Sequence, residues 1–153
     1  MHIAIAVSSF HSDITETLLN GAKECLRQHG ARESDVAVFR CPGAFELPQA
    51  AARLADQKRW DAIVCLGAVI RGETPHFDYV ASQAAAGIQQ TALKHGLPVV
   101  FGVLTTDTVQ QATDRAGGKH GNKGWDAAVT AMEMIALFRD LKRKPGRSSR
   151  RKQ

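Results

Sequence analysis

The sequence predicts an α/β fold, a three-layer α/β/α sandwich built on a four-stranded parallel sheet. Three observations carry the prediction. Four short runs, apolar almost throughout and rich in β-branched residues, recur along the 153 residues, as expected of parallel strands buried on both faces. Segments with helical apolar spacing separate them. The chain is also long enough, at 44% hydrophobic residues, to bury one substantial core, which favours a single domain.

The first run, Ile3 to Val7, opens the sheet. After it, Asp13 and Glu16 form a D-x-x-E pattern that reads as a capping box, and Ile14, Leu18, Ala22 and Cys25 share one helical face until Gly30 stops the helix. Val36 to Phe39 is the second strand, followed by a helix over Pro48 to Ala55. The third, Ala62 to Leu66, precedes a helix over Phe77 to His95. The fourth, Val99 to Val103, is followed by helices over Thr108 to Ala116 and Lys123 to Lys142. Right-handed crossovers between such strands place helices on both faces of the sheet, and the ligand crevice then lies beyond the carboxyl ends of the strands.

Composition narrows the function. The net charge of +5 suggests attraction to nucleic acid, but seven of the 20 basic residues follow Leu141 with no acid among them. Without those seven, 13 basic residues face 15 acidic ones, so residues 1 to 141 carry −2. Nucleic-acid contact is thereby confined to weak binding through the basic end. Residues 1–144 read as one domain and residues 145–153, too polar and too charged to bury a core, as a disordered basic tail. Cys25, Cys41 and Cys65 are widely spaced and odd in number, which fits buried free thiols better than a disulfide framework or a zinc site. The opening "MHIAIAVSSF" is too soon broken by polar residues for a signal peptide, and no apolar run reaches the roughly 18 residues of a membrane span. A reducing cytoplasm is the expected location.

The segments leaving the four strands are "SSFHSD", "RCPGAFELP", "GAVIRGETPHF" and "GVLTTDT". In this architecture they converge on one edge of the sheet. That brings two aromatic candidates, Phe10 and Phe45, together with Glu46, Thr74 and His76. Each has a plainer interpretation: a histidine before a helix caps it or lies on the surface, a phenylalanine belongs to the core, and Glu46 favours a helix N-terminus through the macrodipole. Their company is what points to a site. "RGET" is similar to a loose phosphate cradle at a helix start, but neither a P-loop nor a dinucleotide fingerprint occurs in the chain. A second unusual stretch, "DRAGGKHGNKGWDAA", holds Arg115 and Lys123, suited to phosphate as a fork and as a point charge. Composition alone also allows a solvated connector there.

"CPGAFELP", "LGAVIRGETPHFDYV", "FGVLTTDT" and "RAGGKHGNKGWDAA", in this order, resemble the blocks of the 6,7-dimethyl-8-ribityllumazine synthase family. The resemblance runs from about Ile3 to Leu141 and leaves out only the basic end. It implies a flavodoxin-like fold. It also implies condensation of 5-amino-6-(D-ribitylamino)uracil with L-3,4-dihydroxy-2-butanone 4-phosphate to give the lumazine, phosphate and water. No metal and no cofactor are implied.

By that resemblance Phe10 stacks on the pyrimidine, Ala44, Phe45 and Glu46 hold the ribityl chain and ring edge, and Val69 and Ile70 face the heterocycle. Gly72, Glu73 and Thr74 line the phosphate beside His76, which moves the protons. Phe101, Arg115 and Lys123 match positions that a neighbouring subunit supplies in the family, Arg115 as the main phosphate ligand. The partners implied are therefore small-molecule substrates and further copies of the chain, in a homopentamer. The short connector "GGKHGN" is similar to that of members whose pentamers pack into icosahedral shells of sixty subunits. One departure is His11, which stands where the family usually has asparagine.

Two rival functions are weighed. Lys123 as a Schiff-base nucleophile would make an aldolase-like enzyme, provided the amine is desolvated. A non-catalytic flavin- or lumazine-binding shell protein is the other. His76, Arg115 and Lys123 together favour the synthase.

Overall fold

The structure is a computed structural model, and it describes residues 1–143; the basic tail expected over residues 145–153 lies outside them. The elements run β1 (Ile3–Ser8), α1 (Ser12–Gln28), β2 (Val36–Cys41), α2 (Leu47–Asp56), β3 (Ala62–Ile70), α3 (His76–His95), β4 (Val99–Thr106), α4 (Val109–Arg115), β5 (Ala116–Gly118), β6 (Gly121–Asn122) and α5 (Lys123–Lys142). The main sheet has the order β2-β1-β3-β4, and every pairing in it is parallel. The expected three-layer sandwich is therefore what the chain forms.

The pleat explains the two cores. Ile3, Ile5 and Val7 point to one face with Val64 and Leu66, where Leu18 and Ala22 of α1 and Ala128 and Ala131 of α5 cover them. Ala4 and Ala6 point to the other face with Ile63 and Cys65, covered by Leu47 and Ala51 of α2 and Ile88 of α3. Both faces of the central strands β1 and β3 are thus dry, and their sequences are apolar throughout for that reason. The edge strands differ. β2 is only half-buried, and β4 exposes Phe101 at 43%.

All four strands continue past their expected ends, to Ser8, Cys41, Ile70 and Thr106. In β1, β2 and β4 hydrogen bonding to a neighbouring strand persists where the apolar pattern has faded, whereas in β3 the apolar run resumes after Gly67 through Ala68, Val69 and Ile70. The register shows this at Val69 opposite Thr105 and Ile70 opposite Thr106.

Two local expectations are corrected. The capping box at Asp13 and Glu16 does not form: α1 starts at Ser12, its N-cap is His11, and no side chain caps it. Ser9 and Phe10 donate their backbone N–H groups to Cys41 O and Pro42 O, at 2.8 and 3.0 Å. This turns the chain sharply, puts His11 in the left-handed region at φ 59°, and lets its carbonyl take the amides of Ile14 and Thr15. Glu16 is left to pair with Arg40 across the β1–β2 end, at 3.0 Å. At its other end α1 stops as expected, with Gly30 at φ 90°.

The glycine-rich stretch between α4 and α5 is also more than a connector. It folds into a small antiparallel ribbon of β5 and β6. Gly117 and Gly121, at φ 91° and 77°, make its bends. Asn122 then caps α5 by accepting the amides of Gly124 and Trp125, at 2.8 and 3.3 Å, and donates its own amide to Thr17 O at 3.0 Å. One side chain thereby ties α5 to α1.

Of the three thiols expected to be buried, Cys25 and Cys65 are, while Cys41 at the end of the edge strand is half-buried. All three are free. No helix among the described residues is long and apolar enough to cross a membrane.

Candidate active site

Three strand ends build the site. From β1 comes Phe10, whose ring is 67% exposed and lies 4.4 Å from the imidazole of His11, tilted at 58°. An exposed aromatic ring at a strand end is free to stack on a planar ligand. From β2 comes the short turn Ala44–Glu46, which buries Ala44 while leaving Phe45 48% exposed. Burial of Leu47 anchors that turn beneath, and Glu46 N donates to Gly43 O at 3.2 Å. From β3 come Val69 and Ile70, then the loop through Gly72 and Thr74 to His76, the first residue of α3. His76 N donates to Thr74 Oγ1 at 3.4 Å.

These parts enclose one cavity of about 460 Å³. Its lining includes Phe10, Ala44, Phe45, Glu46, Val69, Ile70, Gly72, Thr74 and His76. The expected ring-binding, ribityl-binding and proton-transfer candidates thus meet in one place. Glu73 sits in the same loop, exposed, but does not line the cavity.

Phe101, Arg115 and Lys123 do not meet them. They line a larger groove of about 930 Å³ on the far side of the sheet edge, between β4, α3 and α5. Arg115 ends α4, where its guanidinium donates to Gln111 O at 2.9 Å. Lys123 opens α5 and donates to Asp126 Oδ2 at 2.9 Å. That amine is 47% exposed and already ion-paired, the opposite of the desolvated, uncompensated lysine a Schiff-base nucleophile needs. The aldolase-like alternative loses its physical basis.

No thiol is activated for nucleophilic work. Burial, followed by the charge of Glu46, pushes the Cys41 thiol up, and burial pushes Cys65 up to about 12. Among the described residues no group of three or more His, Cys, Asp or Glu is placed to hold a metal ion. What the smaller cavity offers is an aromatic platform, a carboxylate, backbone polar groups at strand ends, and the imidazoles of His76 and His11.

The cavity also contains residues that the sequence reading did not single out. Tyr79 and Val80 line it from α3, three and four positions after His76, so helical spacing from the histidine would have found them. Phe77 lines it too, half-buried against the core below. His11, marked earlier only as a departure, is part of the wall.

With this geometry in view, the chain was compared with known proteins. The family model described as 6,7-dimethyl-8-ribityllumazine synthase matches residues 1–139. A relative of that name from Syntrophus aciditrophicus is 54% identical over 141 residues, which is 92% of either chain. Another, from Chlorobium phaeovibrioides, is 53% identical over 139 residues, covering 91% of this chain and 90% of the relative. A third, from Chlorobium luteolum, is 51% identical over 138 residues, 90% and 89% of the two chains. The stretch matched by the family model spans all four strands of the main sheet, both cavities and the glycine-rich ribbon, and the chain belongs to the 6,7-dimethyl-8-ribityllumazine synthase family.

Proposed function

We propose that this chain condenses 5-amino-6-(D-ribitylamino)uracil with L-3,4-dihydroxy-2-butanone 4-phosphate at a site that two copies of the chain share. The chain is a transferase of riboflavin biosynthesis, as membership of the family gives. The observation that carries the site assignment is the meeting of Phe10, Glu46, Thr74 and His76 in one cavity at the carboxyl ends of the strands.

The chemistry divides among these groups. The pyrimidine stacks on Phe10 with Val69 and Ile70 against its edge, and Glu46 accepts hydrogen bonds from ribityl hydroxyls, with Ala44 and Phe45 beside it. The amine of the pyrimidine attacks the ketone, water leaves, and a Schiff base forms. Loss of phosphate and ring closure with loss of a further water complete the lumazine. Each step moves a proton, and of the two imidazoles that line the cavity, His76, beside Thr74 in the phosphate loop, is the one assigned to that work. Holding both substrates in register supplies much of the rate, since a bimolecular encounter becomes effectively unimolecular. Phosphate is assigned to the loop of Gly72, Glu73 and Thr74 and to Arg115, whose planar fork matches a phosphate dianion.

Arg115, Lys123 and Phe101 line a different groove of the same chain, and this supports their delivery to the cavity of a neighbouring copy. Leu93 and Phe101, 73% and 43% exposed, leave that groove apolar and uncovered. A contact that joins unlike surfaces of successive copies closes into a ring where its rotation divides a full turn, and the ring we propose is the pentamer. The short ribbon between α4 and α5 supports further packing of pentamers into an icosahedral shell. Three free thiols suit a cytoplasmic location. Nucleic acid is not a partner of this reading, except for weak contact through the basic residues after Leu141.

Mixing the purified protein with both substrates tests the reading. Formation of the fluorescent lumazine and release of phosphate, both in excess over protein, are the expected result. Binding without turnover would favour a non-catalytic shell protein instead.

A further inference from the structure

Arg71 lies just outside the cavity, yet its side chain touches both the start of α3 and the segment just past β4. It follows β3, and its backbone N–H extends the ladder by one bond, to Thr106 O at 2.9 Å. Its Nε donates to Asp107 Oδ1 at 3.0 Å, just past β4. One terminal nitrogen donates to Asp78 Oδ1 at 3.3 Å, in the first turn of α3. The guanidinium plane also covers the ring of Phe77, with 4.2 Å from its carbon to the ring centroid, and Phe77 lines the cavity beside His76.

The loop itself has little else to hold it. Residues 71–76 are all exposed, and a side chain added at Gly72 would meet nothing within 4 Å. Among the described residues, the bonds that fix the loop from within are those of His76 N to Thr74 Oγ1 and of Asp78 N to Pro75 O, at 3.4 and 3.0 Å. The positions of Gly72, Thr74 and His76 therefore depend on how the loop's two ends are held. Arg71 joins those ends directly.

We propose that Arg71 is a positioning residue: by bridging Asp107 and Asp78 and stacking on Phe77, it fixes the 72–76 loop so that its phosphate-facing backbone and His76 keep their places. This rests on the reading above that the loop serves the ketone phosphate. A purely structural role fits poorly, because Arg71, Asp78 and Asp107 are 44%, 60% and 69% exposed, and exposed ion pairs contribute little to folding. Lysine cannot replace arginine here, since it lacks the fork that reaches two carboxylates and the plane that stacks on a ring.

The test compares Arg71→Ala, Arg71→Lys and Asp107→Asn with the unaltered protein, using steady-state kinetics and amide hydrogen exchange over residues 71–80. Arg71→Ala is expected to lower kcat by about 10-fold and to raise KM for the ketone phosphate, because misplacing reacting groups by about 1 Å costs up to ~10²-fold. KM for the pyrimidine should stay within about twofold, since Phe10, Phe45 and Glu46 hold it from the ends of β1 and β2, and Val69 and Ile70 belong to β3 itself, ahead of the loop. Arg71→Lys should recover only part of the loss. Asp107→Asn should give a smaller loss that does not add to that of Arg71→Ala. Exchange should quicken over 71–80 alone, at an unchanged melting temperature.

Normal kinetics with normal exchange in folded Arg71→Ala would overturn the proposal, and so would losses that simply add. If Arg71→Ala does not fold, Arg71→Lys and Asp107→Asn decide by the same readouts. If the unaltered protein makes no lumazine, the reading of the reaction fails. Exchange over 71–80 then still decides whether Arg71 fixes the loop.

Discussion

At the scale of single residues, His76 and Arg115 carry the sharpest expectations. His76 opens α3 next to Thr74 in the smaller cavity, and general acid–base assistance is typically worth at least about 10²-fold. His76→Ala should therefore lower turnover by roughly 10²-fold with pyrimidine binding, measured by fluorescence titration, nearly intact. Equal turnover in the two proteins would remove His76 from proton transfer. Arg115→Lys keeps the charge but not the fork, so affinity for the ketone phosphate should fall while that for the pyrimidine does not. Inorganic phosphate should compete with the ketone phosphate; competition with the pyrimidine alone would contradict the placement of the two subsites. The cavity candidates were legible because strand ends in a parallel sheet converge, so "SSFHSD", "PGAFELP" and "RGETPHF" had to meet. Tyr79 has no motif of its own, and only its helical spacing from His76 puts it on the same face of α3. His11 was visible as an oddity, but its left-handed backbone depends on Ser9 and Phe10 bonding across to Cys41 and Pro42, a tertiary fact that no local pattern reveals.

At the scale of elements, α1 and α5 approach each other closely where glycines stand. A Cβ on Gly124 would fall on the carbonyl of Leu18, and one on Gly21 would strike the side chain of Asn122. The two helices approach this closely only because glycine stands at both positions. Gly124→Ala should therefore destabilise the fold by roughly 1–3 kcal/mol, the usual range for forcing atoms into a filled core. Gly72→Ala, where an added Cβ meets nothing within 4 Å, is the control, and thermal or denaturant melting reads both. Similar melting of the two variants would mean that the helices separate without cost. Order and type were legible for the four strands of the main sheet and the five α-helices, since apolar strand runs and helical spacing are strong signals over these lengths. Boundaries were less so: the D-x-x-E pattern at Asp13 and Glu16 read as a cap, but a turn tied to β2 caps α1 with backbone instead. The ribbon of β5 and β6 went unread because its glycines supply φ values, not apolar periodicity.

At the scale of the whole molecule, the central proposal is a site divided between two copies of the chain. Phe10, Glu46 and His76 share one cavity, while Phe101, Arg115 and Lys123 share another across the sheet edge. No periodicity in the sequence distinguishes the two groups, because strand-end logic puts every loop at one edge and says nothing of which face a second chain will cover. The family resemblance supplied that distinction. Two singly defective chains test it most directly: His76→Ala and Arg115→Ala, each nearly inactive alone, are dissociated, mixed in equal amounts and reassembled. A site built from unlike halves of adjacent copies is intact when one chain brings His76 and the next brings Arg115, so random mixing around a ring should restore about one quarter of the unaltered activity. A mixture no more active than the average of its two components would contradict the shared site.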